Sequence, residues 1–192
     1  MYSNPSNIVK TLIRCLDRNA DQINAVIKFY EPDRQLNVFE GMRKTLPRDS
    51  YPSLEIEPVG AANEWWTTRA QRPRYTFQGT LTVLNDNVNL GVEYISTIMN
   101  VLSELITDPT NLQLSIENET RWDDTQEDGY AVMPSRILDS LIDNVTYNAT
   151  QDGTIRVCQF DWFALVHEPF PMWKWDHEKQ SDPTIIRPMN LK

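Results

Sequence analysis

The chain has 192 residues, of which 40% are hydrophobic and 23% charged, and its formal net charge is −9. This length and balance are typical of one globular domain with its own core. No apolar run approaches the roughly 20 residues that a membrane helix needs, and the opening MYSNPSNIVK lacks the regions of a secretory peptide. The acidic balance disfavours a broad DNA-binding face, because phosphate binding requires clustered Lys and Arg. We predict a soluble cytoplasmic protein that neither enters a membrane nor grips nucleic acid.

The N-terminal region has helical periodicity. Ser6 is predicted as the N-cap of a helix whose apolar residues recur at three and four positions: Ile8, Val9, Leu12, Ile13 and Leu16. The following ADQINAVIKFY could form a second helix or open a strand, and the helix is preferred; Pro32 ends it in either case. Residues 31–53 contain three prolines and no sustained period, so a long connection is predicted there.

Two strands are predicted next. SLEIEPV alternates apolar and acidic residues and should end at Pro58, and residues 60–73 are predicted to form a loop. RYTFQGTLTVLND then alternates clearly, with Tyr75, Phe77, Leu81 and Val83 on one face. Gly79 falls on that apolar face, which predicts a bulge or the close approach of another element.

A long amphipathic helix is predicted to lie across the sheet as the core helix. Asp86 or Asn87 should cap it, and Asp108 and Pro109 should end it. Its apolar stripe comprises Leu90, Tyr94, Ile95, Ile98, Met99, Val101, Leu102, Leu105 and Ile106. The short alternating segment LQLSIE predicts one more strand after it.

Residues 117–128 are strongly acidic and are predicted to form an exposed loop. The span holds one basic residue, Arg121, and six acidic ones: Glu117, Glu119, Asp123, Asp124, Glu127 and Asp128. Such carboxylates are usually hydrated, although a buried pair could serve hydrolysis.

The C-terminal third predicts a β-hairpin and an arm. RILDSLIDNVTYNAT and TIRVCQFDWFALVHE are joined at QDGT, whose Asp-Gly pair suits a tight turn. Both faces of the second strand carry apolar groups, so one face can meet the core and the other a neighbouring chain. Residues 1–168 are therefore predicted as the domain, and residues 169–192, rich in aromatic residues and proline, as an extended arm that docks elsewhere.

Residues that could carry chemistry are sparse. Cys15 and Cys158 each lie in an apolar pattern, which favours reduced buried thiols over a disulfide. His167 and His177 lack metal-ligand spacing, and HEPFPMWKWDHE is broken by prolines, so ordinary solvated side chains are preferred to a metal site. P-loop, G-x-G-x-x-G and G-x-S-x-G motifs do not occur in the sequence. We predict neither a cofactor nor an enzyme.

Aromatic and basic residues are interleaved around Trp65 and Trp66, which are followed by Arg69, Arg72 and Arg74. Three interpretations exist: an interface, indoles that close over the core, and nucleic-acid binding. The interface ranks first, because Trp and Arg are enriched at protein–protein interfaces and the surrounding chain is acidic. The same reasoning makes Phe170, Trp173 and Trp175 of the arm interface candidates.

The order of elements is an N-terminal helix, a long connection, SLEIEPV, RYTFQGTLTVLND, a long helix, a short strand and a hairpin ending DWFALVHEP. Over roughly residues 6–169 this order resembles the tail-terminator family of tailed bacteriophages, whose members are also called tail-completion or head-to-tail joining proteins. The resemblance implies an α+β fold with a mixed, mainly antiparallel sheet and helices packed on it.

The resemblance also implies a function based on geometry. Such a subunit would form a homo-oligomer, expected to be a hexameric ring, that caps the tail tube at the tail–neck junction of the virion after assembly in the host cytoplasm. Its partners would be tail-tube, sheath or neck proteins, and DNA would pass only as cargo through a lumen that the acidic residues 117–128 could line. Two alternatives remain open, a neck or connector protein of the same virion and a small hydrolase. The aromatic arm after Pro169 departs from a compact terminator.

Overall fold

The computed structural model describes residues 4–43, 45–66, 70–85, 87–108, 130–131, 136–150, 154–169 and 172–173. Within them lie the helices α1 (Pro5–Arg18), α2 (Ala20–Tyr30) and α3 (Val88–Thr107). The strands are β1 (Asn37–Glu40), β2 (Ser53–Trp66), β3 (Ala70–Leu84), β4 (Tyr130–Ala131), β5 (Arg136–Ala149), β6 (Ile155–Pro169) and β7 (Met172–Trp173). The predicted α+β class is confirmed.

The main sheet has five strands in the order β1-β2-β3-β6-β5. The β1–β2 pair is parallel, whereas the other neighbours are antiparallel. β4 and β7 form a separate two-stranded sheet, in which Tyr130 pairs with Trp173. The sheet is therefore mixed and mainly antiparallel.

The helix boundaries follow local capping chemistry. Asn4, and not Ser6, caps α1, because the Asn4 Oδ1 accepts a hydrogen bond from the Ser6 N–H at 3.0 Å and Pro5 occupies the first turn. α2 is a helix, as preferred from the sequence. At α3, the Asn87 Oδ1 accepts from the Leu90 N–H at 3.3 Å, as predicted for a cap. No described helix is both long and apolar enough to cross a membrane.

The predicted long connection over residues 31–53 is partly wrong. It contains β1 and a short 3₁₀ turn at Arg48–Ser50. β1 aligns with the start of β2, from Asn37 opposite Ser53 to Glu40 opposite Ile56. Four residues are too few to show a period, so this strand depends on its tertiary partner for its existence.

The predicted end of the first strand at Pro58 and the predicted loop over residues 60–73 are both wrong. β2 continues to Trp66 and pairs with β3, with register shifts at Pro58/Gly60 and Asn63/Trp65. Pro58 is tolerated because β1 stops opposite Ile56. No residue of β1 therefore needs a hydrogen bond from the backbone N–H that proline lacks. Pro73 lies opposite Asn63, beside the second shift.

The terminal hairpin is confirmed by antiparallel pairing of β5 with β6, from Arg136 opposite His167 to Ala149 opposite Arg156. Its turn at residues 151–153 lies outside the described residues. So do the predicted strand LQLSIE and residues 117–128. Of the C-terminal arm only Pro169 and β7 are described, so the division at residue 168 stays a prediction.

The core lies between the helices and one face of the sheet, which we call the inner face. Tyr75, Phe77, Leu81 and Val83 of β3 are all buried on it, as predicted. Trp162 of β6 stacks on Phe77 with ring centroids 4.6 Å apart, and its Nε1 donates to the Ser140 Oγ at 2.7 Å. The indole N–H, costly to bury alone, is thereby satisfied.

Among the described residues, α3 supplies as many buried apolar side chains to the helical side of the core as α1 and α2 together. Its buried apolar residues are Tyr94, Ile95, Ile98, Met99, Leu102, Leu105 and Ile106, whereas Leu90 of the predicted stripe is exposed. The Tyr94 hydroxyl donates to Glu31 at 2.9 Å and the Tyr30 hydroxyl to Glu93 at 2.9 Å, which joins α2 to α3. Cys15 and Cys158 are buried and unbridged, as predicted, and burial raises the pKa of the Cys158 thiol to about 11.

Gly79 lies where two strands meet with no room for a side chain. A Cβ at this position would stand 2.2 Å from Cζ of Phe160, the residue opposite on β6. The Phe160 ring therefore occupies the space that a side chain on β3 would need. The predicted close approach at Gly79 is confirmed.

We expect Gly79→Ala to destabilise the fold by about 2 kcal/mol or more, because the Phe160 ring must move out of its packed position. Gly60→Ala is the matched control, since its Cβ would meet nothing within 4 Å; it should stay within about 1 kcal/mol of the wild type. Urea unfolding measures both variants. Equal effects of the two substitutions would contradict this account, and Phe160→Leu should recover part of the loss at Gly79→Ala.

Candidate subunit interface

The distal half of β2 is a free edge of the main sheet. Among the described strands, β1 covers β2 only as far as Ile56, and β3 pairs with the rest of it from the other side. Residues 57–62 are accordingly exposed on both faces. Val59, at the first register shift, is 65% exposed. An open strand edge with apolar groups is a ready partner for another chain.

β5 forms the opposite edge of the same sheet and also exposes apolar side chains. Four of its large hydrophobic residues are exposed: Leu138, Leu141, Val145 and Tyr147. Register shifts interrupt its pairing with β6 at Ile137/Asp139 and Asp143/Thr146, and Asn144 has a φ of 52°. Burial of these side chains in a contact would be favourable, at about 25 cal/mol per Å² of apolar area.

The outer face of the sheet, opposite the helices, is only partly covered. Phe163 and Leu165 of β6 are half-buried on it, and exposed Leu141 pairs with Phe163. The guanidinium carbon of Arg74 lies 6.0 Å from the Phe163 ring centroid. This arrangement agrees with the expectation that both faces of this strand carry apolar groups. The outer face thus continues the apolar surface of the β5 edge.

A row of basic residues crosses one end of this outer face. Arg136 of β5 pairs with His167 of β6. Burial lowers the pKa of the His167 imidazole, and the positive charges of Arg72 and Arg136 lower it further. We call Arg72, His167 and Arg136 the basic row. Arg72 was an interface candidate from the sequence, whereas Arg136 was missed because it is distant in sequence and only strand pairing brings it to His167.

Trp65 and Trp66, which the sequence predicts as interface residues, lie at the end of β2 next to the basic row. Trp65 pairs in register with Arg72, and Trp66 with Gln71, so both lie in a strand and not in the predicted loop. Trp173 belongs to β7 and pairs with Tyr130. Arg69, Phe170 and Trp175, together with the lumen candidates of residues 117–128, lie outside the described residues.

Buried hydrogen bonds on the inner face fix this end of the sheet. The carboxylate of Glu168 is fully buried and accepts hydrogen bonds from the Gln71 side-chain amide and, at 2.7 Å, from the Tyr75 hydroxyl. Because Gln71 and Tyr75 belong to β3 and Glu168 to β6, these bonds hold the two strands in register beneath the basic row. Within the described part of the chain, no group of acidic, His or Cys residues could hold a metal ion.

Comparison with known proteins finds a solved structure of similar fold but no matching sequence family. The chain matches no protein-family profile and no curated protein sequence. Its fold is similar to that of a chain in a solved structure described as the virion of native gene transfer agent particle, with a TM-score of 0.53 and 10% identity, covering 81% of this chain and 91% of the other. A second solved chain, at 15% identity over 84% of this chain and 95% of its own, has a TM-score of 0.40, a likeness too weak to carry weight.

The basic row predicts a pH dependence of stability. His167 in the unfolded chain takes up a proton near pH 6.5, whereas the folded chain resists protonation. The free energy of unfolding, measured relative to a His167→Gln variant, should therefore be constant above pH 6.5. It should fall as the pH drops below 6.5 and level off again below the lowered pKa of His167 in the folded chain. Urea unfolding from about pH 8 to about pH 5 measures the difference. Arg136→Gln removes one repelling charge and should reduce the fall; a fall unchanged by His167→Gln would contradict the assignment.

Proposed function

We propose that this chain is a structural subunit of a phage-like virion particle and that it acts by self-association. The observation that carries the proposal is the pair of unlike apolar edges at opposite ends of one sheet, β2 beyond Ile56 and β5. The likeness to a chain of a gene transfer agent virion supports the particle as its setting. No step of this function requires catalysis.

Two different edges on one subunit fit head-to-tail association. If the β2 edge of one copy meets the β5 edge of the next, every contact is the same and each copy keeps one free edge for a further copy. A fixed rotation between copies then closes the assembly into a ring. A two-fold dimer would instead use one edge twice and leave the other exposed.

The proposed place of this ring is the tail–neck junction, as a hexamer that caps the tail tube and lets DNA pass through its centre. The order of elements, which resembles that of tail terminators, supports this finer assignment. In this position the acidic residues 117–128 would line the lumen, and the arm of residues 169–192 would reach tail or neck proteins. A neck or connector subunit of the same particle would use the same two edges and differ in its neighbours.

The first test is the mass of the purified chain by light scattering from micromolar to millimolar concentration, with negative-stain imaging of the same samples. We expect a concentration-dependent oligomer with a central hole. A chain that stays monomeric across this range would contradict self-association through the two edges.

The second test separates head-to-tail from two-fold association. Val59→Asp on the β2 edge and Leu141→Asp on the β5 edge should each weaken self-association by at least about tenfold, because each places a charge in an apolar contact. Each variant keeps one intact edge, so an equimolar mixture should form heterodimers. Analytical ultracentrifugation measures the species.

Phe29→Asp is the matched control, because Phe29 is 80% exposed on α2, away from both edges. It should associate like the wild type. If one edge variant has no effect, or if the mixture contains monomers alone, the head-to-tail contact between β2 and β5 is wrong.

A further inference from the structure

A row of outer-face residues on neighbouring strands includes the buried carboxylate of Glu55. Glu55 of β2 lies in register with Phe39 of β1 and Thr80 of β3, and Thr80 is in register with Gln159 of β6. Glu55 is only 7% exposed. Residues directly opposite on neighbouring strands have side chains close enough to interact. Four strands thus place an aromatic ring, a carboxylate, a hydroxyl and an amide side by side.

The buried Glu55 carboxylate has few partners for its charge. Its Oε2 accepts the Arg43 backbone N–H at 3.0 Å, and no cationic side chain of the described chain forms an ion pair with it. The nearby Arg43 guanidinium instead lies 4.3 Å from the centroid of the Phe39 ring. A carboxylate removed from water is costly unless it is paired. Arg43 lines the same pocket, but with its guanidinium over the Phe39 ring the Glu55 carboxylate has no ion-pair partner among the described residues.

A pocket of about 270 Å³ opens over Glu55. The chain between β1 and β2 contributes five lining residues: Met42, Arg43, Thr45, Leu46 and Tyr51. The sheet contributes five more: Glu55, Thr80, Thr82, Val157 and Gln159. The Thr80 Oγ1 is buried and makes no hydrogen bond within the described residues. The pocket is smaller than typical sites for drug-sized ligands, which span about 300–1,000 Å³.

We propose that this pocket binds one alkylammonium or guanidinium group, presented as a Lys or Arg side chain by a neighbouring protein in the particle. The cation would pair with the Glu55 carboxylate, and its N–H groups would donate to the Thr80 hydroxyl and the Gln159 amide oxygen. An anion is disfavoured by the Glu55 charge, and a neutral apolar group would leave the carboxylate and hydroxyl unsatisfied. Arg43, at the rim, competes for the same carboxylate when it leaves the Phe39 ring.

The test uses the full chain at low ionic strength with three cationic probes: N-acetyl-arginine amide, N-acetyl-lysine amide and spermidine. N-acetyl-norleucine amide, which lacks the charge, is the neutral probe. Amide chemical shifts of Glu55, Thr80, Thr82 and Gln159 report binding. We expect both amino-acid cations to shift these resonances and the neutral probe to leave them unchanged. Binding of spermidine alone would overturn a protein side chain as the source of the cation, and absence of all binding would overturn the site.

Glu55→Gln keeps an oxygen for the Arg43 N–H but removes the charge, and should weaken cation binding by at least about tenfold. Glu57→Gln is the matched control, because Glu57 lies on the same strand and face but is exposed; it should bind like the wild type. Arg43→Ala should tighten binding by removing the competitor. Equal losses in the two Glu variants would overturn the role of Glu55.

Thr80→Val provides a second variant whose folding is not at risk, since the hydroxyl it removes has no partner in the described chain. It should unfold at the same or a higher urea concentration and bind the cations more weakly. Unchanged cation affinity would contradict the proposed contact. None of the residues that line the pocket belongs to β5 or to the free part of the β2 edge, although Val157 and Gln159 pair with β5. Cation binding can therefore fail while self-association holds, and the reverse.

Discussion

The pairing of β3 with β6 is the constraint on which the rest of the structure depends. The two strands stay in one register from Ala70 opposite Pro169 to Leu84 opposite Ile155. A shift by one residue would turn every apolar side chain of β3 to the outer face. The Phe160 ring over Gly79 and the bonds of Gln71 and Tyr75 to Glu168 oppose such a shift at two separate places. β2, β5 and α3 then pack against this fixed pair.

Because the helices cover the inner face, the outer face and the two edges are the parts of the main sheet that remain open to contacts with other molecules. These surfaces differ in character: the β2 and β5 edges are apolar, the basic row carries positive charge, and the Glu55 pocket carries negative charge. A subunit with two different strands at its sheet edges suits repeated head-to-tail contact better than self-complementary pairing. The fold thus separates a packed core from a varied outer surface.

The likeness to a virion chain at 10% identity with a TM-score of 0.53 is a likeness of backbone architecture. A sheet with one face buried by helices needs only apolar residues at alternating positions, and many sequences satisfy this pattern at the same core volume. Side chains at the edges and on the outer face are under no such constraint. They are where this chain can carry contacts of its own.

The sequence by itself determined the elements whose patterns are local: α1, α3, the alternation of β3 and the β5–β6 hairpin. For α2 it favoured a helix over a strand, and at Gly79 it left a bulge or a close approach, and the structure decided both. Each depends on periodicity, capping or turn chemistry within a short stretch of chain. Only the tertiary structure decided β1, the continuation of β2 past Pro58, the basic row and the Glu55 pocket. These depend on strand pairing between residues distant in sequence, such as Arg136 with His167 and Phe39 with Glu55, and a local pattern carries no information about which strand will lie beside it.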